Sequence, residues 1–272
     1  MDLTIREPAV AGAFYPSAKE ELKEAVNFFL KESEKKFKKL NLQNRKLKAI
    51  IVPHAGYIYS GTIMAAGFNL IKKHPLINPK ILLIGPSHNE YFKGLTIPST
   101  KEWETPLGLV KIDPLTNIIA DENPNMVFFS DEAHSSEHCL EVEIPFMQEI
   151  FSNFTLIPLL TGEGDPAKYA RIIKEYQNKI DLIIVSSDLS HYNPYDYANI
   201  IDNISNKTII SYDFPNSKYK IDACGKQGIL TLMYLAKEKN WHPELIDYKN
   251  SGDTAGDKKS VVGYSCIAFY EK

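Results

Sequence analysis

Cysteine is scarce in this chain: 272 residues hold three, Cys139, Cys224 and Cys266. The number is odd and no two have Cys-x-x-Cys spacing. A disulfide framework is therefore excluded, and a reducing, cytoplasmic setting is the expectation. No apolar run approaches the ~20 residues of a membrane-crossing helix. The opening Met1-Asp2-Leu3-Thr4-Ile5-Arg6-Glu7 has neither the basic nor the apolar region of a signal peptide. Charge of one sign is also lacking. Lys and Arg number 31 against 34 Asp and Glu, for a net charge of −3. Without a basic stripe, a nucleic-acid partner has no electrostatic footprint. There is no G-x-S-x-G nucleophile elbow and no G-x-G-x-x-G dinucleotide fingerprint. The stretch from Gly252 to Ser260 lacks phosphate-loop spacing and reads as a flexible loop. Linkers, repeats and low-complexity segments are missing as well, so a single domain spanning 1–272 is expected.

What the chain does have is three apolar runs that each end in a histidine. They are Ala49-Ile50-Ile51-Val52-Pro53-His54, Ile81-Leu82-Leu83-Ile84-Gly85-Pro86-Ser87-His88 and Leu182-Ile183-Ile184-Val185-Ser186-Ser187-Asp188-Leu189-Ser190-His191. Runs of this length, bounded by Gly, Pro and Ser, read as strands buried on both faces. Helical stretches alternate with them. The spacing predicts helices from a Ser17–Glu20 capping box to about Leu40, from Ser60 to Ile71, over 138–151, from Asp165-Pro166 to about Asn178, and over 195–206 and 224–238. Further strands are expected at 94–97, 107–112, 155–159, 243–250 and 260–270. The fold class is therefore α/β, a three-layer αβα domain around a mostly parallel or mixed sheet. In such sheets the ligand crevice lies outside the carboxyl ends of the strands. Three histidines delivered to one edge point to a metal or acid/base site.

Other titratable residues add to this. Asp188 and His191 are three apart, a spacing at which a carboxylate can orient an imidazole. His138 and Glu141 have the same spacing on the expected 138–151 helix, where Glu143 is assigned to solvent and Pro145 to a kink. Cys224 opens a helix. It reads either as a thiol with a lowered pKa, suited to metal or nucleophilic chemistry, or as a buried inert residue. Cys139 and Cys266 read as core. His134, His74 and His242 read as surface or loop residues. The lysines at 35, 36, 38 and 39 read as a solvated helix end.

Seven segments together resemble the Memo-like family, also called AmmeMemoRadiSam system protein B. They are Arg6-Glu7-Pro8-Ala9-Val10-Ala11-Gly12-Ala13-Phe14-Tyr15-Pro16, Pro53-His54-Ala55-Gly56-Tyr57, Gly85-Pro86-Ser87-His88, Glu137-His138, Ser187-Asp188 with His191, Asp222-Ala223-Cys224-Gly225, and Val261-Val262-Gly263-Tyr264. They follow the family's order along nearly the whole chain. The resemblance implies a fold similar to the catalytic subunit of class III extradiol dioxygenases, which are non-haem iron enzymes. It implies that His54, His88 and Cys224 bind a metal ion. It also implies that Asp188, His191 and His138 are pocket residues beside that metal, with a catalytic role. Cys139 departs from the Ser expected in the family's Glu-His-Ser pattern. The family's link to a radical-SAM protein implies a shared pathway.

Non-haem iron oxygenases use two histidines and a carboxylate, whereas a thiolate here would favour copper(I), zinc or sulfur-ligated iron. Three functions stay open from the residues. The first is an oxidoreductase dependent on iron or copper, with His191 as an acid/base group oriented by Asp188. The second is an adaptor that holds a peptide or metabolite in the same cleft. The third is a metal-assisted hydrolase, with zinc as its metal.

Overall fold

The computed structural model describes residues 4–37, 45–74 and 76–271. At its centre four parallel strands lie side by side in the order Thr155–Thr161, Lys80–Pro86, Leu182–Ser186 and Lys46–Val52. Their side chains alternate between two apolar clusters. Ile50, Val52, Ile81, Leu83, Leu156, Leu182 and Ile184 face one side. Ala49, Ile51, Leu82, Ile84, Ile157, Leu159, Ile183 and Val185 face the other. Period-2 alternation into two cores is what makes each strand read as a continuous apolar run. Each buried Ile, Leu or Val stabilises the fold by ~1.5–3 kcal/mol relative to exposure.

Helices cover both faces. Lys19–Phe37, Tyr57–Lys73 and Ile144–Ile150 supply one layer, with Leu22, Val26, Ile63, Phe68 and Phe146 in the first cluster. Leu115–Glu122, Pro166–Tyr176 and Lys226–Glu238 supply the other, through Ile119, Tyr169, Ile173, Ile229 and Leu232. The sheet has twelve strands among the described residues. On one flank, Gly108–Ile112 continues it in parallel, and Glu102–Thr105 and Ile5–Arg6 follow outward. On the other, Val261–Glu271 adds antiparallel to Lys46–Val52 and carries both His242–Asn250 and the short His191–Asn193. This is the expected mixed αβα architecture. No helix among the described residues is long and apolar enough to cross a membrane.

Several local expectations are met. Asp165 caps its helix through the Ala167 amide with Pro166 in the first turn. Cys139 and Cys266 are fully buried. The lysine-rich end of the first helix lies outside the residues whose side chains are described.

Other expectations are overturned. The 138–151 helix is broken: a 3₁₀ turn spans Glu141–Glu143 and the α-helix runs only from Ile144 to Ile150. Pro145 sits in that helix's first turn, where its missing N–H costs nothing, so no kink forms. Glu141 and Glu143 are both fully buried. His242 opens a strand. His74 is half-buried, its ring nitrogens against the Leu70 and Arg45 carbonyls. Ser251–Thr254, placed in a loop by the sequence, is a short helix with an Asn250–Asp253 capping box. His134 is 1% exposed, packed edge-on to Trp103 at 5.9 Å with Nδ1 unpartnered.

Burial pulls the His134 pKa down to about 4. The unfolded chain takes up this proton near pH ~6.5. Stability from the neutral ring is thus complete above that pH and drains away as pH falls towards 4, by up to ~3 kcal/mol. Urea unfolding of wild type and His134→Phe at pH 7.5 and 4.5 reads this directly. The acid loss is expected to be smaller in the variant. Equal losses would mean that His134 titrates freely in the native protein.

Candidate metal centre

Because the four central strands are parallel, their carboxyl ends share one edge, and the loops leaving that edge build the site. Pro53-His54 follows the first strand and Ser87-His88 the second. Their rings meet edge to face with centroids 5.1 Å apart. His138 arrives from the other side, 5.4 Å from His54 and 4.6 Å from His88. Ligand nitrogens of His54, His88 and His138 all lie within 4.8 Å of one another.

Cys224 stands beside this triad, its Sγ 3.2 Å from His54 Nε2. Its segment is drawn in by backbone contacts. The Cys224 amide donates to the Asp188 carbonyl and the Gly225 amide to Ser187 Oγ. A Cβ on Gly225 would sit 2.6–2.8 Å from Ser187 and the Ser186 carbonyl, so only glycine allows the approach. Cys224 precedes the helix proper, which begins at Lys226 behind a Gly225 cap. Burial, aided by the Asp188 charge, pushes the thiol up to about 12. Of the two readings the sequence left open, the lowered pKa is not found: desolvation outweighs the helix dipole.

Each imidazole has a fixed partner behind it. Glu137 Oε1 lies 2.8 Å from His88 Nδ1 and 3.2 Å from His138 Nδ1, leaving Nε2 of both rings as the free donor atom. The same carboxylate accepts the amides of His88, His138 and Cys139. Burial alone would raise its pKa, but the hydrogen bonds from His88 and these amides overcome it and bring Glu137 down to about 2. His54 leans on Ser186, with Nδ1 2.9 Å from Oγ. Burial holds the His54 ring well below the ordinary histidine range.

Glu137 is in turn held in place by the N-terminal segment. Buried Arg6 donates to the carbonyls of His134 and Glu137 and to Glu141 Oε2, at 2.6–2.7 Å. Glu141 also accepts from the Ala9 and Val10 amides and the Tyr15 hydroxyl. Its role is to clamp residues 6–15, not to share a reactive face with His138. The clamp sets Phe14 against His138, with centroids 4.7 Å apart.

Asp188 and His191 are not a pair. Asp188 Oδ1 accepts the His54 amide at 2.8 Å, with the Ala55 amide also helping to hold its charged form. Among the described residues no hydrogen bond joins Asp188 to His191. Burial raises the Asp188 carboxyl to about 7 against those amides. His191 opens a short strand at the sheet edge and lines the cavity wall as an exposed residue. Tyr192 beside it has a left-handed φ of +61°.

The cavity over the triad measures about 610 Å³. Phe14, Tyr59, Tyr192 and Tyr264 line it together with His54, His88, His138, Asp188 and His191. No lysine or arginine is among the described lining residues.

A family model described as "Memo-like protein" matches residues 6–268. The chain belongs to the Memo-like family. A "MEMO1 family protein" of Aquifex aeolicus is 36% identical over 98% of this chain and all of the relative. One of Sulfurisphaera tokodaii is 32% identical over 97% of this chain and 99% of the relative. In fold, the chain resembles the crystal structure of the uncharacterized protein JW3007 from Escherichia coli K12. That likeness has a TM-score of 0.53 at 14% identity and covers 81% of this chain and 99% of the other.

Of the residues that the Memo-like resemblance singled out, the structure groups His54, His88 and His138 most tightly and sets Cys224 against His54. Reasoning from the sequence missed Glu137, Ser186 and Ser187 as supports. Glu137 had a signal, since it directly precedes His138. The two serines had none, as Ser at a strand end reads as a turn.

Removing the carboxylate behind His88 and His138 frees both rings. Glu137→Ala is therefore expected to weaken metal binding ~10–100-fold. Competitive titration with a chromophoric chelator measures it. Affinity equal to wild type would show that Glu137 orients no ligand.

Proposed function

We propose that this Memo-like protein is a metal-dependent oxidoreductase acting on a small organic substrate in the cleft over His54. The observation that carries the reading is the convergence of three imidazoles within 4.8 Å, with a thiol against one of them, under an open cavity. Imidazole rings held with free nitrogens, one of them buried, suit a transition metal better than a hard cation such as magnesium or calcium. His54 and His88 would hold the ion, completed by Cys224 as a thiolate or by His138. When bound, a redox-active iron or copper would supply electron transfer to oxygen or substrate, chemistry that no side chain here provides.

The protein's own residues would set the conditions. Glu137 orients His88 and His138, and Asp188 fixes the backbone that carries His54. His191, on the cavity wall, is placed to take or give a proton at a substrate bound above the metal. Asp188, poised near neutral pH, offers a second carrier deeper in. The aromatic lining and the absence of lysine and arginine among the described residues there favour an uncharged, apolar substrate over a phosphorylated one. A zinc-dependent hydrolase or a metal-free binding cleft would use the same walls, and metal identity separates the three.

Protein purified anaerobically is expected to carry about one iron or copper per chain by elemental analysis. The His54→Ala/His88→Ala double variant should lose it while keeping its circular-dichroism spectrum, since these residues sit on loops beyond the strands. Metal content unchanged in the variant would place the ion elsewhere. Zinc alone, without oxygen uptake, would favour the hydrolase.

Ligand softness gives a second test. Cys224→Ser should weaken copper(I) far more than a hard divalent ion, whereas Cys266→Ser, deep in the core, should leave affinity unchanged. Copper(I) bound equally well by Cys224→Ser would remove the thiolate from the ligand set.

A further inference from the structure

Beneath His54 lies a carboxyl group that the reading above does not use. Glu143 is fully buried and forms no ion pair among the described residues. Its Oε2 has no hydrogen-bond partner. Its Oε1 lies 3.1 Å from Ser186 Oγ. That hydroxyl also lies 2.6 Å from the Cys139 carbonyl oxygen and 2.9 Å from His54 Nδ1.

Counting protons settles who donates. A serine hydroxyl has one proton and two lone pairs. The Cys139 carbonyl can only accept, and a 2.6 Å oxygen–oxygen contact requires a proton between the two atoms. Ser186 therefore spends its proton on Cys139. Its two lone pairs face His54 Nδ1 and Glu143 Oε1, and both of those atoms must donate. An ionised Glu143 could not donate. It would also leave a bare carboxylate with one oxygen unsolvated in an apolar core, at a cost of several kcal/mol.

We propose that Glu143 is a neutral carboxylic acid at neutral pH that acts through Ser186 as a positioning residue, fixing His54 as the Nδ1–H tautomer. The Nε2 lone pair of His54 then points to Cys224. In the metal-free protein the Cys224 thiol donates to it across 3.2 Å. The chain of donors runs from Glu143 to Ser186 to the Cys139 carbonyl, with His54 feeding Ser186 and Cys224 feeding His54. Every member is neutral. Burial, which holds Glu143 well above the ordinary carboxyl range, agrees with this. The proposal matters for function only if His54 binds metal, and so rests on the metal reading. Its first test does not need metal.

That test is the long-range proton–nitrogen spectrum of metal-free protein labelled with ¹⁵N-histidine at neutral pH, with His54→Gln assigning the signals. The expected result is His54 protonated at Nδ1 alone. Infrared difference spectra of wild type against Glu143→Gln should show a protonated-carboxyl band lost in the variant. The Nε2–H tautomer in wild type overturns the proposal even if every Glu143 variant unfolds, and so does a folded Glu143→Gln that loses no such band. Glu143→Gln, whose amide can still donate to Ser186, should keep the tautomer and hold metal affinity within about threefold of wild type. Glu143→Leu should lose the single tautomer and weaken metal binding ~10–100-fold. A tautomer that persists in Glu143→Leu would show that Ser186 needs no help from Glu143. A wild type that shows the tautomer but binds no metal would sink the metal reading and leave this assignment standing.

Discussion

Burial of the central strands on both faces is the constraint from which the rest follows. Side chains of Lys46–Val52, Lys80–Pro86, Thr155–Thr161 and Leu182–Ser186 enter two apolar clusters by turns. A one-residue slip in any of them would exchange the two sets. Register is therefore held by the core, and with it the height at which each chain leaves the sheet. Val52 pairs with Ser186, and Ile84 with Val185. This levelling brings His54, His88 and Asp188 out at one edge. The site is a by-product of packing before it is anything chemical.

Precision comes from polar groups buried just beyond that edge. Arg6 ties the carbonyls of His134 and Glu137 to Glu141, and Glu141 ties down the segment that carries Phe14. Breaking such a buried pair by removing one partner costs ~3–5 kcal/mol, because a charge is left stranded. The same logic governs Glu137, which serves two rings and three amides. A metal ion bound on these candidate ligands would meet a pre-organised site. The side chains would lose little freedom on binding it, and the groups behind them already select which nitrogen stays free.

The cavity shows the opposite character. Among the described residues, four aromatic side chains and several histidines line it, with one carboxyl group and no lysine or arginine. Desolvation dominates there, raising Asp188 and Cys224 and lowering His54 and His138. All four shifts run towards the uncharged form. A neutral pocket of this kind has little use for a strongly ionic ligand, and a bound cation would be its largest local charge.

Much of this was legible in the sequence. The doubly buried strands announced themselves as apolar runs, and the histidines at their ends followed from the rule for parallel sheets. Motif spacing identified the Memo-like family and, through it, the residues at His54, His88, His138 and Cys224. What the sequence could not decide was which polar side chain serves which partner. Asp188 sits three residues from His191 but bonds the His54 backbone, because residues 187–190 form no helix to put the two on one face. Glu143 looks solvated by its composition but lies in the core, because Pro145 starts a new helix and turns the preceding residues inward. Cys224 looks activated by its place before a helix but is a neutral thiol, because burial outweighs the dipole. Periodicity and spacing are local, so one chain carries them in full. Desolvation and hydrogen-bond partnership depend on what arrives from 50 or 100 residues away, and only the tertiary structure supplies that.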